Sequence, residues 1–569
     1  MTPTAEWPGS LWSRTRALLP RRADWTHARP RRDLPAGVMV GLVALPLALG
    51  FGVSSGLGAG AGLVTAIVAG VLAAVFGGSR VQVSGPTGAM TVVLVPIIAT
   101  HGADGVLVVG LLAGLILLGL SFAGAGRFIR YVPVPVVEGF TIGIAIIIAL
   151  QQLPGALGVD VQAEKVLVLA GRAVRAWAED PAWASAGVTL GVVAVIMAAG
   201  RYRPQLPWSL LAVVAATVLD GVLDLGVASI GAIPSGLPTP GLPDVDLGTL
   251  DALLLPAIAV AALAALESLL SATVADAMNV GQRHDPDREL FGQGMANLAA
   301  PLFGGIPATA AIARTAVNVR AGAASRLSAV VHAGVLLAVV LVASQWVERI
   351  PLAALAGVLI ATAIHMVRVS SVTALLRSTR GDAAVLVITA AATVVADLVT
   401  AVIVGLVVAG FIALRQTAKA ARIDEVPLDM PTDSDDRVAE EHALLDEHIV
   451  AYRLDGPLFF AAAHDFLLEL AGVSDTRVVI LRMSRITTID ATGASVLADT
   501  ITRLENRGIT VLLSGVQPAH QDVLTHLGVY DRLAHERHLF DTTPEAIVHA
   551  RIHASRISHD AGASGSPTR

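Results

Sequence analysis

The sequence predicts an all-α polytopic membrane protein of fourteen segments in two inverted blocks of seven, each with one half-helix, followed by a C-terminal α/β domain. Three observations carry this. Of 569 residues, 54% are hydrophobic and only 15% are charged, with a mean hydropathy of +0.70, a balance that soluble domains do not show. A Gly/Pro-interrupted segment recurs at the third place of each block. The chain also changes character near Arg415, from apolar runs to alternating strand and helix patterns.

The first 33 residues are rich in arginine and lack an apolar core of signal-peptide length, with Trp7, Trp12 and Trp25 among the charges. They read as a cytoplasmic arm lying on the membrane surface. Crossing ~30 Å of hydrocarbon takes roughly 20 helical residues. Apolar runs near that length fall at 36–53, 63–76, 106–122, 136–150, 187–197, 208–225, 253–275, 290–303, 327–344, 352–366, 383–396 and 398–414. Two shorter segments start at Pro86 and Ala308 and complete the fourteen.

An even count puts both termini on one side, and arginine placement says which. Arg80, Arg127, Arg130, Arg201, Arg203, Arg283, Arg288, Arg320, Arg326, Arg368, Arg377 and Arg380 fall in loops on the side of the arginine-rich N-terminus. The other side has Lys165, Arg172, Arg175 and Arg349. By the positive-inside rule the termini are cytoplasmic.

The interrupted segments carry the chemistry. Val81 to Ser84 alternates like a short strand, and Gly85-Pro86-Thr87-Gly88-Ala89 then opens a helix too short to span. Gly304-Gly305-Ile306-Pro307-Ala308-Thr309-Ala310 does the same in the second block. Proline fits the first turn of a helix and stops it extending backwards. Both segments therefore read as half-helices that start inside the membrane, the arrangement left by an inverted repeat with a site at the repeat interface. Free N–H groups and about half a positive charge at each start favour an anion.

Two charges sit inside apolar stretches, at a cost of roughly 2.5 to 3.5 kcal/mol each on insertion scales. Arg314, in the second half-helix, offers a planar fork of donors that suits a carboxylate, carbonate or sulfate group. Its structural alternative is to pair with Glu267 or to snorkel to the surface. Glu267 lies midway along 253–275 with Ser271 four residues on, on the same helical face. A carboxylate beside a hydroxyl can hold Na⁺ or take up a proton, and either couples anion movement to a cation gradient. Glu138 falls just inside the start of its span, where an interfacial position serves as well as a buried one, and Asp220, Asp224 and Asp397 fall near helix ends, where structural roles dominate.

From Asp424 to Glu447 the chain turns acidic, which reads as a solvated linker. Beyond it, strands are predicted at 449–454, 458–461, 478–483 and 510–514, and helices at 463–470, 492–506 and 518–527. The resulting domains are an arm (1–33), a transmembrane domain (34–415), an acidic linker (416–446), an α/β domain (447–551) and a disordered tail (552–569). The net charge of −6 belongs to the cytosolic part and identifies no partner. The absence of cysteine excludes disulfides and thiolate sites. No nucleophile constellation appears and the C-terminal histidines show no metal-ligand spacing, so an enzyme is not predicted.

The run from Glu289 through Ala324 resembles the SulP (sulfate permease) anion transporters, with Gly294-Met295-Ala296-Asn297, Phe303-Gly304-Gly305-Ile306-Pro307-Ala308-Thr309 and Arg314-Thr315-Ala316-Val317-Asn318. So do Val137-Glu138-Gly139-Phe140-Thr141-Ile142-Gly143 and Leu45-Pro46-Leu47-Ala48-Leu49-Gly50-Phe51-Gly52, and the tail is similar to a STAS domain at Asp490-Ala491-Thr492-Gly493. The resemblance implies core and gate subdomains, a homodimer with elevator-like motion, and a site between the first, third, eighth and tenth helices. It implicates Arg314 in anion contact and Glu267 in cation coupling. Thr87, Gly88 and Ala89, with Ala308, Thr309 and Ala310, would form the substrate cradle, and Glu267 and Ser271 would be metal ligands only if the coupling ion is Na⁺. Thr492 aligns with the phosphoacceptor of related STAS proteins, against the plainer reading of a helix-capping threonine. Sulfate-type members often have Gln where this chain has Leu47, which moves weight towards bicarbonate or dicarboxylates.

The leading expectation is a secondary active transporter of a small anion (bicarbonate, dicarboxylate or sulfate) in the bacterial cytoplasmic membrane, coupled to H⁺ in preference to Na⁺. No cofactor is implied beyond the coupling ion, and no nucleic acid; the lipid bilayer, a second copy and a cytosolic protein at the STAS domain are the partners implied. The alternatives are an uncoupled exchanger or channel, which has little need of Glu267, a nucleobase carrier, and a membrane-anchored sensor.

Overall fold

A computed structural model describes residues 18–25, 28–127, 132–163, 165–203, 206–243, 248, 250–278, 283–396, 398–420, 422–425, 448–459, 476–535 and 538–563. The chain divides into two compact units, Met1–Ala409 and Gly410–Arg569. Trp7, Trp12, Asp397, the acidic stretch from residue 426 and the helix expected at 463–470 lie outside the described residues.

The first unit is helical. Its first block contains α1 (Pro30–Ser54), α2 (Ala59–Phe76), β1 (Ser84–Gly85), α3 (Gly88–Ala123), α4 (Val134–Gln151), α5 (Val166–Glu179), α6 (Trp183–Tyr202) and α7 (Trp208–Leu223). The second contains α8 (Leu250–Met278), α9 (Pro286–Ala299), β2 (Thr309–Ala310), α10 (Ile312–Arg320), α11 (Leu327–Val347), α12 (Leu352–Met366), α13 (Val369–Ser378), α14 (Arg380–Val395) and α15 (Leu398–Ala420). Among the described residues nine helices are long and apolar enough to cross a membrane by themselves. α3 bends at Gly102, whose φ of 69° interrupts the helix, so it supplies both the first half-helix and the span expected at 106–122.

The two blocks correspond element by element. Each has a two-residue strand before its half-helix, and each has a helix, α4 or α12, that starts immediately after an extended proline, Pro133 or Pro351. An additional helix then follows, α5 or α13. Neither α5 nor α13 was expected from the hydropathy pattern. Both mix charged and apolar residues, so neither reads as a spanning run.

Polar side chains fasten the ends of these helices. Asp33, fully buried in the first turn of α1, accepts hydrogen bonds from the amides of Ala324 (2.8 Å) and Ser325 (3.0 Å) and from the Ser325 hydroxyl (2.7 Å). Asp24, in the arm, receives both terminal nitrogens of Arg288 on α9, at 3.0 and 2.6 Å. Glu138, buried on α4, accepts from Arg368 and from the Ser371 hydroxyl (2.9 Å) at the start of α13. It is a structural clasp between the two blocks. Asp224 takes a left-handed conformation (φ 48°) just after α7.

The second unit is a five-stranded sheet in the order β3 (Arg422–Glu425), β4 (Ile449–Leu458), β5 (Val478–Ile489), β6 (Thr510–Ser514), β7 (Leu539–Phe540). β3 is antiparallel to β4 and the other pairs are parallel. Helices α16 (Ala491–Asn506), α17 (Pro518–His526) and α18 (Thr543–Ala563) cover it. Alternation along β5 decides which helix covers which face. Val479 and Leu481 meet Leu497, Ile501 and Leu524 of α16 and α17, while Val478 and Ile480 meet Ala546, Ile547 and Ala550 of α18.

Three expectations change here. The strand expected at 449–454 continues through bulges to Leu458 as β4, reaching the start of the strand expected at 458–461, of which residues 460–461 lie outside the described residues. The predicted linker begins as ordered chain, since α15 runs to Ala420 and residues 422–425 pair as an edge strand. The tail expected to be disordered from 552 continues as helix to Ala563, and Ala554 extends the small-residue face that packs on the sheet.

The arm contact has a testable pH window. The Arg288 hydrogen bond, outweighing partial burial, holds the Asp24 carboxyl at about 2, below its ordinary 3.8. The contact is therefore complete above about 3.8 and is lost as pH falls through about 2. Because the contact is complete across neutral pH, its protection of Arg21 and Arg22 from trypsin should not change with pH there, and Asp24→Asn should accelerate cleavage about tenfold.

Candidate functional site

The site is built around a strand pair inside a helical unit. β1 and β2 run antiparallel with Ser84 opposite Ala310 and Gly85 opposite Thr309. Hydrocarbon offers no hydrogen bonds, so extended backbone at this depth is tolerated only where protein satisfies it. Side chains of the second block do this for β1 and its flanks. The Val81 carbonyl accepts from Asn318 (2.7 Å), the Val83 amide donates to the Thr315 hydroxyl (3.1 Å), and the Val83 carbonyl accepts from the Ala311 amide (3.0 Å). The Pro86 carbonyl accepts from Arg314. Gln82 donates to the Ser268 carbonyl (3.0 Å), and Gln293 donates to the Ser84 hydroxyl (2.8 Å).

The segment leading into β2 is satisfied in the same way. Asn297 clamps Ala308, donating to its carbonyl and accepting from its amide, both at 2.8 Å. Thr65 donates to the Ile306 carbonyl (3.0 Å), and Thr309 donates to the Ala264 carbonyl (3.1 Å).

The first half-helix starts at Gly88, two residues later than expected, with Pro86 ahead of the cap rather than in the first turn. Thr87 is the N-cap of α3, and its hydroxyl accepts from the Met90 amide at 3.4 Å. The amides of Gly88 and Ala89, ahead of the first intrahelical bond, have no partner within the helix. The second half-helix starts later than expected, at Ile312 after Ala311. Ala308, Thr309 and Ala310 are strand and its approach, and the Ala308 amide is already taken by Asn297. As amide donors at a helix start they are replaced by Ile312, Ala313 and Arg314.

Glu267 and Arg314 both reach across to the start of the first half-helix. The Thr87 hydroxyl donates to Glu267 Oε2 at 2.9 Å, while Arg314 Nη2 donates to the carbonyl of the preceding residue, Pro86. Among the described residues the two charges make no direct ion pair, although they interact electrostatically. The alternative reading of a direct Glu267–Arg314 pair gives way to two separate contacts with adjacent residues.

Arg314 is 1% exposed, and its Nε and Nη1 have no hydrogen-bond partner among the described residues. Its guanidinium occupies the space of a missing side chain: a Cβ on Gly85 would lie 2.6 Å from Nη1. Ser271 is buried and donates to the Thr315 hydroxyl at 3.1 Å, which ties it to the strand pair and away from Glu267.

Several contributors lie outside the predicted set: Asn297, Gln293, Thr315, Asn318, Gln82 and Thr65. The reasoning that singled out Glu267 applies equally to uncharged amides in apolar runs, and would have found Gln82, Gln293, Asn297 and Asn318. In the second unit Asp490, not Thr492, caps α16, accepting from the Gly493 amide at 2.7 Å. Thr492 is exposed in the first turn.

Two family models match the chain: the Sulfate permease family over residues 31–389 and the STAS domain over 443–546. The chain belongs to the sulfate permease family of anion transporters and carries a C-terminal STAS domain. It is 35% identical to the putative sulfate transporter YvdB of Bacillus subtilis (strain 168), over 90% of this chain and 96% of that protein. It is 29% identical to the bicarbonate transporter BicA of Picosynechococcus sp., over 88% of this chain and 92% of that protein. The solved transmembrane domain of a cyanobacterium bicarbonate transporter BicA matches with a TM-score of 0.59 at 32% identity, covering 67% of this chain and 98% of that one. Murine Slc26a9 in an inward-facing state matches with a TM-score of 0.81 at 18% identity, covering 97% and 96%, and shares the fold.

Gly85 combines a backbone role, with φ 155°, and the room it leaves for the arginine. Gly85→Ala should drive the Arg314 guanidinium off the Pro86 carbonyl and reduce transport at least tenfold, with helix content by circular dichroism unchanged. Gly88→Ala, whose Cβ would meet Ile148 Cδ1 at 2.2 Å, should instead lower thermal stability by overpacking.

Proposed function

We propose that this protein is a secondary active transporter that moves a small oxyanion or carboxylate together with a proton. The observation that carries the proposal is Arg314, a permanent cation buried with two donor nitrogens that have no partner among the described residues. Leaving such donors empty in a low-dielectric interior costs more than an ordinary lost hydrogen bond. An anion with two oxygens can take Nε or Nη1 together with the second N–H of Nη2, which form an edge of the guanidinium, and can share the amides of Gly88 and Ala89 at the half-helix start.

Glu267 supplies the coupling. Ionised, it repels an anion held at the neighbouring half-helix start; neutralised, it does not. Anion and cation binding therefore reinforce each other, which is the thermodynamic requirement for symport. A proton is favoured over sodium because the described side chains give Glu267 one hydroxyl partner, Thr87, while Ser271 is engaged by Thr315. Bicarbonate, a dicarboxylate and sulfate all meet the geometric requirement. Bicarbonate and dicarboxylates are preferred on Leu47 and on the likeness to the bicarbonate transporters.

The arginine distribution supports a topology with both termini cytoplasmic, in a bacterial cytoplasmic membrane. A homodimer with elevator-like movement of the half-helix core is the working arrangement that the family suggests.

The test is uptake of labelled bicarbonate, sulfate, fumarate and succinate into proteoliposomes under an imposed proton or sodium gradient. Wild type should accumulate its anion against the anion's own gradient when the proton gradient is present. Glu267→Gln should retain exchange and lose accumulation. Equal, uncoupled equilibration by wild type and Glu267→Gln would identify an exchanger or channel instead.

A further inference from the structure

Three histidines from two separated stretches of the second unit meet at one point. His549 and His553 lie one turn apart on α18, with their Nε2 atoms 3.2 Å from each other. His538, just ahead of β7, stands with its ring centroid 5.6 Å from that of His549 and 5.1 Å from that of His553. One ring nitrogen from each of the three lies within 4.8 Å of the others. The ring of His535 is 5.9 Å from that of His538.

Nitrogens bound at ~2.0–2.1 Å to one tetrahedral zinc ion stand about 3.3 Å apart. The His549–His553 pair is already at that spacing, and the third nitrogen needs only side-chain rotation to reach it. His538 is 2% exposed, and its Nδ1 is buried without a hydrogen-bond partner among the described residues, a vacancy in the polar accounting that a ligand would fill. With no cysteine in the chain, an all-imidazole donor set selects zinc-like divalent transition metals over calcium or magnesium.

We propose that His538, His549 and His553 form a zinc-class metal site in the STAS domain, its fourth position completed by His535 or water. The expectation from sequence that the C-terminal histidines lack ligand spacing is corrected: His549 and His553 are an i, i+4 pair, and the fold adds His538. The site would join α18, which packs on β5 and β6 through Ala546, Ile547 and Ala550, to the β7 edge of the sheet. Metal binding would therefore stabilise that edge.

The experiment uses the full chain, purified in detergent with a tag that contains no histidine and stripped of metal. Zn²⁺ is titrated in competition with a chromophoric chelator, and Co²⁺ is followed by visible absorption. Wild type should bind one Zn²⁺ per chain, melt at a higher temperature with Zn²⁺ present, and give the intense visible bands of tetrahedral Co²⁺. His549→Gln and His553→Gln should each weaken Zn²⁺ at least tenfold, while His526→Gln, an exposed control on α17, should not. Sub-stoichiometric binding, weak octahedral Co²⁺ bands in wild type, or unchanged affinity in the His549→Gln/His553→Gln double variant would overturn the site. The wild-type Co²⁺ spectrum decides the question even if the variants fold poorly.

Discussion

Extended backbone inside a membrane unit must find all its hydrogen bonds in protein, and the transmembrane unit is organised around that requirement. β1 and β2 satisfy each other only along two residue pairs. The rest is supplied by side chains, and largely from the opposite repeat: Asn318, Thr315 and Arg314 serve the chain around β1, while Thr65 serves the approach to β2. Each half of the inverted repeat thus completes the backbone of the other. Removing one of these side chains would leave a buried carbonyl or amide unpaired, at a cost of about 1–3 kcal/mol, and would loosen both half-helix starts together.

The same requirement shapes the site. Arg314 is held in place because one of its nitrogens serves Pro86, and Glu267 is held because Thr87, the next residue, donates to it. A helix start, a guanidinium fork and a carboxylate are thereby fixed at two consecutive residues. Neither charged side chain neutralises the other directly, so the arginine keeps its capacity for a ligand and the carboxylate keeps its capacity to take up a cation. This explains how two charges that are costly to insert can persist in an apolar unit.

Much of this was legible in the sequence because membrane physics leaves few options. Apolar run lengths gave most of the spans, the Gly-Pro interruption gave the first half-helix to within two residues, starting at Gly88 where Pro86 was expected, and charges in apolar runs gave Glu267 and Arg314. What stayed hidden depended on partners distant in sequence. Nothing local shows that Asn297 occupies the Ala308 amide, or that residues 309–310 pair with 84–85, and these contacts move the second half-helix start from Ala308 to Ile312. Helical periodicity put Ser271 on the face of Glu267, yet Thr315 claims its hydroxyl. α5 and α13 escaped because hydropathy detects spanning helices and misses amphipathic ones. The histidine cluster escaped because one of its members, His538, comes from a different element.

The central claim is that Arg314 does two jobs with one fork: it completes the Pro86 carbonyl and leaves donors for an anion. Arg314→Lys tests this directly, because a single ammonium keeps the charge but lacks the planar fork. Equilibrium binding of labelled bicarbonate and succinate to detergent-purified wild type and Arg314→Lys, with thermal unfolding measured alongside, is the measurement. The account predicts at least tenfold weaker binding in a variant that still unfolds cooperatively. Wild-type affinity in Arg314→Lys would show that charge alone suffices, and would contradict the shared fork.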